Sequence, residues 1–203
     1  MRDRSWFVPL LRTALIAVMP GCSTAESNPT ADVRWVPPSQ AGPHGSAPGA
    51  RSRVLAEQSD GVKHYVLVLE DGDEVATALA DFAHEQRVVN AHFVAIGAVR
   101  EPEVAWFDKS RHSYKTIARH QQMEVLTLSG DIALTENGQP VAHTHLVLGG
   151  DDGSAWGGHL LSAIASPTLE VYLTTFPTPL HKRVDPNTEL QLIDPSISEN
   201  GSP

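Results

Sequence analysis

Between His64 and Ile193 the chain is built from short runs rich in apolar and β-branched residues, and one stretch alone carries a helical period. The runs are His64–Leu69, Ala91–Val99, Val104–Asp108, Ser113–Ala118, Met123–Leu134, Pro140–Leu148, Ser154–Leu161, Thr168–Phe176 and Glu189–Ile193. Turn residues separate them, as in Asp71-Gly72-Asp73, Glu136-Asn137-Gly138 and Asp151-Asp152-Gly153, and runs of this kind read as strands. Ser129-Gly130 predicts a bulge or bend inside the longest run. From Glu74 to Arg87, Val75, Leu79 and Phe82 stand at i, i+4 and i+7, the stripe of a core-facing helix with Asp73 as its expected N-cap. Many strands, one helix and no regular βαβ alternation predict an α+β domain: a mainly antiparallel β-sheet with a flanking helix.

The ends read differently. Arg2, Arg4 and Arg12 precede a short apolar run, Thr13–Met19, and then Gly21-Cys22. The run falls well short of the roughly 20 residues a spanning helix needs. Residues 1–21 therefore read as a lipoprotein-type signal peptide, with Cys22 as the residue to be acylated. Cys22 is the sole cysteine, so no internal disulfide can form. Residues 22–59 are rich in Pro, Gly, Ser and Ala and read as a flexible tether. The domain is placed at 60–195, and 196–203 read as a disordered tail.

Charge narrows the partners. The chain carries 15 basic and 24 acidic residues, a net of −9. Removing residues 1–21 takes away three Arg and Asp3 and leaves 12 against 23, or −11. Such a surface repels the phosphate backbone that supplies most non-specific nucleic-acid affinity. Lys109, Arg111, Lys115 and Arg119 form a modest basic cluster, read as a solvated edge.

The chemistry gathers in His143-Thr144-His145 and Trp156-Gly157-Gly158-His159. Alternate residues of a strand share a face, so His143 and His145 point the same way. His159 follows a Gly-rich turn, and Gly157-Gly158 allow the close backbone approach that would aim it. Three neutral imidazoles from adjacent strands suit zinc or a similar divalent ion and leave a fourth position open. Spacing alone also fits histidines that merely pack on a sheet. The other domain histidines lack such pairing. Ser162 and Ser166 lack the nucleophile-elbow pattern, and no Glu closely follows His145 as a cupin would require.

From His64 to Asp194 the chain resembles the PPC (plants and prokaryotes conserved) domain. The blocks that carry the resemblance are GDEVATALADFAHEQ, FVAIGAV, EVLTLSGDIAL, HTHLVLGGDDGSAWGGHL and PTLEVYL. His143, His145 and His159 stand where the bacterial branch has its metal-associated histidines, and Glu170 also matches the family pattern. The resemblance implies a mainly antiparallel sheet with a flanking helix, and trimeric assembly. Plant members carry an Arg-Gly-Arg-Pro segment for DNA, which this chain lacks; Gln121-Gln122-Met123 also departs from many relatives.

Three functions follow as expectations. The first is an exported, lipid-anchored homotrimer holding a divalent metal, expected to be zinc, and binding or sensing a small ligand. The second is a metal-dependent enzyme that uses the open position, with Glu170 orienting the site or acting as general base. The third is the DNA-binding role for which the family is often labelled.

Overall fold

The alternation read from the sequence becomes burial in the folded chain. In β3 (Lys63–Glu70), Tyr65, Leu67 and Leu69 are buried and the residues between them are not. The computed structural model describes residues 33–197. The signal segment, Cys22 and most of the tail lie outside them.

The elements, in chain order, are β1 (Val33–Val36), a 3-10 turn (Pro38–Gln40), β2 (Arg51–Glu57), β3, α1 (Val75–Glu85), β4 (Asn90–Asp108), β5 (Ser113–Ala118), β6 (Gln122–Leu134), β7 (Pro140–Gly149), β8 (Ala155–Thr175), β9 (Lys182–Val184) and β10 (Gln191–Ile193). Eight strands form one sheet in the order β1-β5-β4-β6-β7-β8-β3-β2, with antiparallel pairings. A further antiparallel pairing of β4 with β8 closes β4, β6, β7 and β8 into a ring. β9 and β10 form a separate two-stranded ribbon.

Helix α1 packs against β3, β7 and β8. It buries Val75, Ala78, Leu79, Phe82 and Ala83, and Phe82 meets Tyr65 edge-on at 5.2 Å. Leu69, Leu79, Leu148 and Leu169 are fully enclosed, each contributing about 1.5–3 kcal/mol of transfer energy. A smaller cluster of Ala105, Tyr114 and Leu161 forms separately, with Ala41, Phe107 and Leu190 packed against it.

Five expectations are corrected. Residues 33–57 are not a free tether: β1 pairs with β5 and β2 with β3, while Pro37-Pro38, Gly42-Pro43 and Pro48-Gly49 fall in the connections. Ala91–Val99 and Val104–Asp108 are one strand, because β4 exchanges β6 for β5 as its neighbour past Glu101-Pro102. Ser154–Leu161 and Thr168–Phe176 likewise merge into β8. Finally, α1 is capped by Glu74 rather than Asp73. Asp73 instead accepts from the backbone N–H groups of Gly49 and Glu70, each at 2.9 Å, and so clamps the preceding turn. The irregularity in β6 also moves, from Ser129-Gly130 to the stretch between Val125 and Thr127.

Candidate metal centre

Pairing of neighbouring strands delivers the three histidines to one place. His145 on β7 stands directly opposite His159 on β8, and His143 is two residues along the same face of β7. Thr144, between them, is buried on the other face. β8 passes close between β7 and β4 at Gly157 and Gly158. A Cβ on Gly157 would meet the Leu146 carbonyl and come within 2.9 Å of Val147 Cα; one on Gly158 would lie 2.8 Å from the Ala105 carbonyl oxygen. The two glycines are thus required for the approach that aligns His159 with His145 and with Ala105 of β4.

One ligand nitrogen from each ring can be chosen so that all three lie within 4.8 Å of one another. The ring centres are 5.0 Å (His143–His145), 5.1 Å (His143–His159) and 5.4 Å (His145–His159) apart. Tyr114 stacks on His159, 4.9 Å away and nearly parallel at 8°, which fixes the ring's plane. His159 Nδ1 is buried without a hydrogen-bond partner, an unmet requirement of the kind a bound cation satisfies. Burial, then the charges of His143, His145 and Lys182, push the His159 imidazole down to about 3. Burial and His143 lower His145 as well. A metal needs neutral imidazoles, so the donor set fits a borderline divalent ion such as zinc.

With this geometry in place, comparison with known proteins fixes the family. Residues 56–177 match the Plants and Prokaryotes Conserved (PCC) domain. The chain belongs to this family. A plant- and prokaryote-conserved protein from Pyrococcus horikoshii shares the fold, with a TM-score of 0.61 at 22% identity over 71% of this chain and 94% of that one. A candidate DNA-binding protein from Bacteroides thetaiotaomicron gives 0.64 at 26% identity over 70% and 96%. A metal-containing protein from Archaeoglobus fulgidus gives 0.60 at 30% identity over 65% and 93%. No curated protein matches the chain.

Around the histidines the PCC chain supplies groups that the sequence reading missed. Asp131 of β6 is paired in register with His143, and its Oδ2 lies 3.5 Å from His143 Nδ1. That contact leaves Nε2 as the nitrogen available to an ion. Asp131 Oδ1 lies 2.7 Å from the Nζ of Lys182, which is 2% exposed. Burial works to raise Asp131, but hydrogen bonds and charge from His143 and Lys182 outweigh it and hold the carboxyl below its usual range. Glu170 is elsewhere. It lies on the outward face of β8 opposite Val68 and Ile96, eleven residues beyond His159, and within this chain it does not join the histidine cluster.

Two expected outcomes follow. Asp131→Asn keeps the shape but loses the charge that orients His143, and metal affinity should fall about 10–100-fold in a competition titration. The second concerns pH. From 6.5 down to about 3 the unfolded chain holds a proton on residue 159 that the folded chain lacks. Stability of the metal-free protein should therefore fall as pH falls through that window, by up to about 1.4 kcal/mol per pH unit from this ring. His159→Gln should flatten that slope in denaturant melts, whatever it does to the absolute stability.

Proposed function

We propose that this PCC-domain protein is an exported, lipid-anchored trimer that holds one zinc ion on His143, His145 and His159 and binds a small anionic ligand at the open fourth position. The observation that carries the reading is the convergence of three imidazoles from β7 and β8, two of them held toward the neutral form. Charge supports the anion. Asp131 offsets Lys182, imidazoles that ligate a metal carry no charge, and a divalent ion would leave the site with a net charge near +2. An ion held this way supplies Lewis acidity and positive charge to whichever group takes the fourth position.

Binding is favoured over catalysis by where the carboxylates lie. Glu170 is on another part of the sheet, and Asp131 is engaged by both Lys182 and His143. The DNA-binding label of the Bacteroides neighbour does not suit a chain of net charge −9. Trimer formation is supported by an exposed apolar row on the outer sheet face, where Val94 lies opposite Tyr172, and Ile96 opposite Glu170. Such a row is what a subunit interface covers. Among the described residues no helix is long and apolar enough to cross a membrane; the anchor in this reading is acylated Cys22, on the charged start, short apolar run and Gly21-Cys22 of the sequence.

Elemental mass spectrometry on the purified full chain tests the centre, with about one zinc per chain expected. A chain that takes up no divalent ion on reconstitution would refute it. Cys22→Ala should move the protein from the membrane fraction to the soluble fraction. Persistence in the membrane fraction would remove the anchor from the reading and leave the metal centre standing.

A further inference from the structure

The layer formed by β1, β5 and the end of β4 carries a surface that the metal centre does not use. Register places Trp35 of β1 opposite Lys115 of β5, and Lys115 opposite Trp106 of β4. Residues directly opposite in adjacent antiparallel strands project to the same face about 5 Å apart. The three therefore form one row across three strands. Trp106 is 61% exposed and Trp35 42%, and Val33, two residues before Trp35 on the same face, is 49% exposed. Arg111, in the connection between β4 and β5, lies over the Trp35 ring at 4.6 Å and also approaches Asp108 at 3.6 Å. Core packing accounts for none of this exposure, and contiguous apolar exposure on a sheet marks an interaction site.

The composition of the row indicates what it meets. An aromatic ring with an apolar body and a polar N–H suits the water–lipid boundary, and Lys and Arg beside it suit anionic headgroups. The chain's course agrees. β1 is the first described strand after Cys22, and the eleven residues from Cys22 to Val33 reach at most about 40 Å when extended. A bilayer holding Cys22 would therefore hold this edge of the sheet close to its surface.

We propose that Trp35, Trp106, Lys115 and Arg111 form a docking surface for an anionic lipid bilayer. The choice of lipid as occupant rests on the anchoring reading above; the patch itself does not. Docking would also orient the domain. Tyr114 and Lys115 are neighbours in β5 and project to opposite faces, and Tyr114 is the residue stacked on His159. With the tryptophan row on lipid, the histidines face away from it, toward solvent and ligand.

The test uses the full chain carrying Cys22→Ser, which cannot be acylated, with vesicles of phosphatidylcholine containing phosphatidylglycerol. Co-sedimentation and the blue shift of tryptophan emission are compared between this protein and the same protein with Trp35→Ala and Trp106→Ala. Any contribution from the N-terminal apolar run is common to both. The double variant should partition about tenfold less, the effect of removing two interfacial aromatic anchors. Lys115→Glu, which spares both rings, should weaken binding to anionic vesicles and leave circular dichroism and metal content unchanged. Equal vesicle binding by all three proteins, or none by the parent, would overturn the proposal. So would tryptophan-dependent binding of a single-stranded oligonucleotide in place of vesicles. Metal content, read on the same samples, separates failure of this surface from failure of the histidine centre.

Discussion

His159→Ala should yield a chain that folds and carries no stoichiometric metal. Zinc binding by four protein ligands contributes about 10–16 kcal/mol, so one ligand accounts for roughly 3 kcal/mol, or about a hundredfold to a thousandfold in affinity. With three histidines to begin with, loss of one leaves too little to retain the ion through purification. His159 is also stacked on Tyr114, so its removal disturbs local packing. His143→Ala provides the cleaner comparison, because that side chain is 44% exposed. Elemental analysis of both variants beside the parent, with unfolding midpoints of the metal-free proteins, distinguishes a lost ligand from a lost fold. Full metal occupancy in both would show that the histidines are not the ligands.

Glu74→Ala should be the most destabilising single change to the fold outside the hydrophobic core. The side chain is 1% exposed, yet it is a carboxylate. Its Oε2 accepts from the Thr77 N–H at 2.7 Å and the Thr77 hydroxyl at 2.6 Å; its Oε1 accepts from the Ala76 N–H, the Ser162 hydroxyl and the Ala163 N–H at 3.2–3.3 Å. Its own N–H donates to the Ser46 carbonyl. One residue thus caps α1, ties the helix to β8 and fixes the segment before β2. Alanine removes the cap, at about 0.5–2 kcal/mol, and leaves buried donors unpaired, at about 1–3 kcal/mol more. The sum, about 3 kcal/mol, corresponds to a fall in Tm of roughly 10 °C for a domain of this size. A calorimetric midpoint within about 2 °C of the parent would show that the contacts are replaceable.

What the sequence disclosed, and what it concealed, follows from where each signal resides. β3 and β7 were legible because one face is buried and the other is not, so their residues alternate. β1 and β2 were not: β2 is exposed along its whole length and β1 nearly so. A strand held by backbone pairing and surface ion pairs leaves no hydrophobic period. The continuity of β4 and β8 was hidden for another reason. Pro102 and Pro167 are local breakers, but each strand changes partners near its proline, and for β8 those partners, β3 and β4, are distant in sequence.

The three histidines were legible, two from the strand period and the third from the glycine pair before it. Asp131 could have been found as well. It and His143 stand equally far from the turn centred on Asn137, so a simple hairpin register pairs them. Tyr114 and Lys182 had no such signal, since long-range packing alone brings them to the site. Glu170 shows the opposite error. Its match to the family pattern suggested a neighbour, whereas β8 carries it eleven residues beyond His159 to another region of the sheet.

Closure of the β4–β6–β7–β8 ring has a consequence for behaviour at high density. An eight-stranded sheet could offer long unpaired margins to other chains, but among the described residues the two ends of this sheet are β1 and β2. β1 is four residues long, and β2 carries Arg51, Arg53 and Glu57 and is bulged between Val54 and Ala56. Short length, charge and a bulge are the features that prevent strand-by-strand polymerisation. Many copies crowded on one surface would therefore resist growing into fibrils through their sheet edges, and broad apolar faces rather than edges are left to govern how they associate.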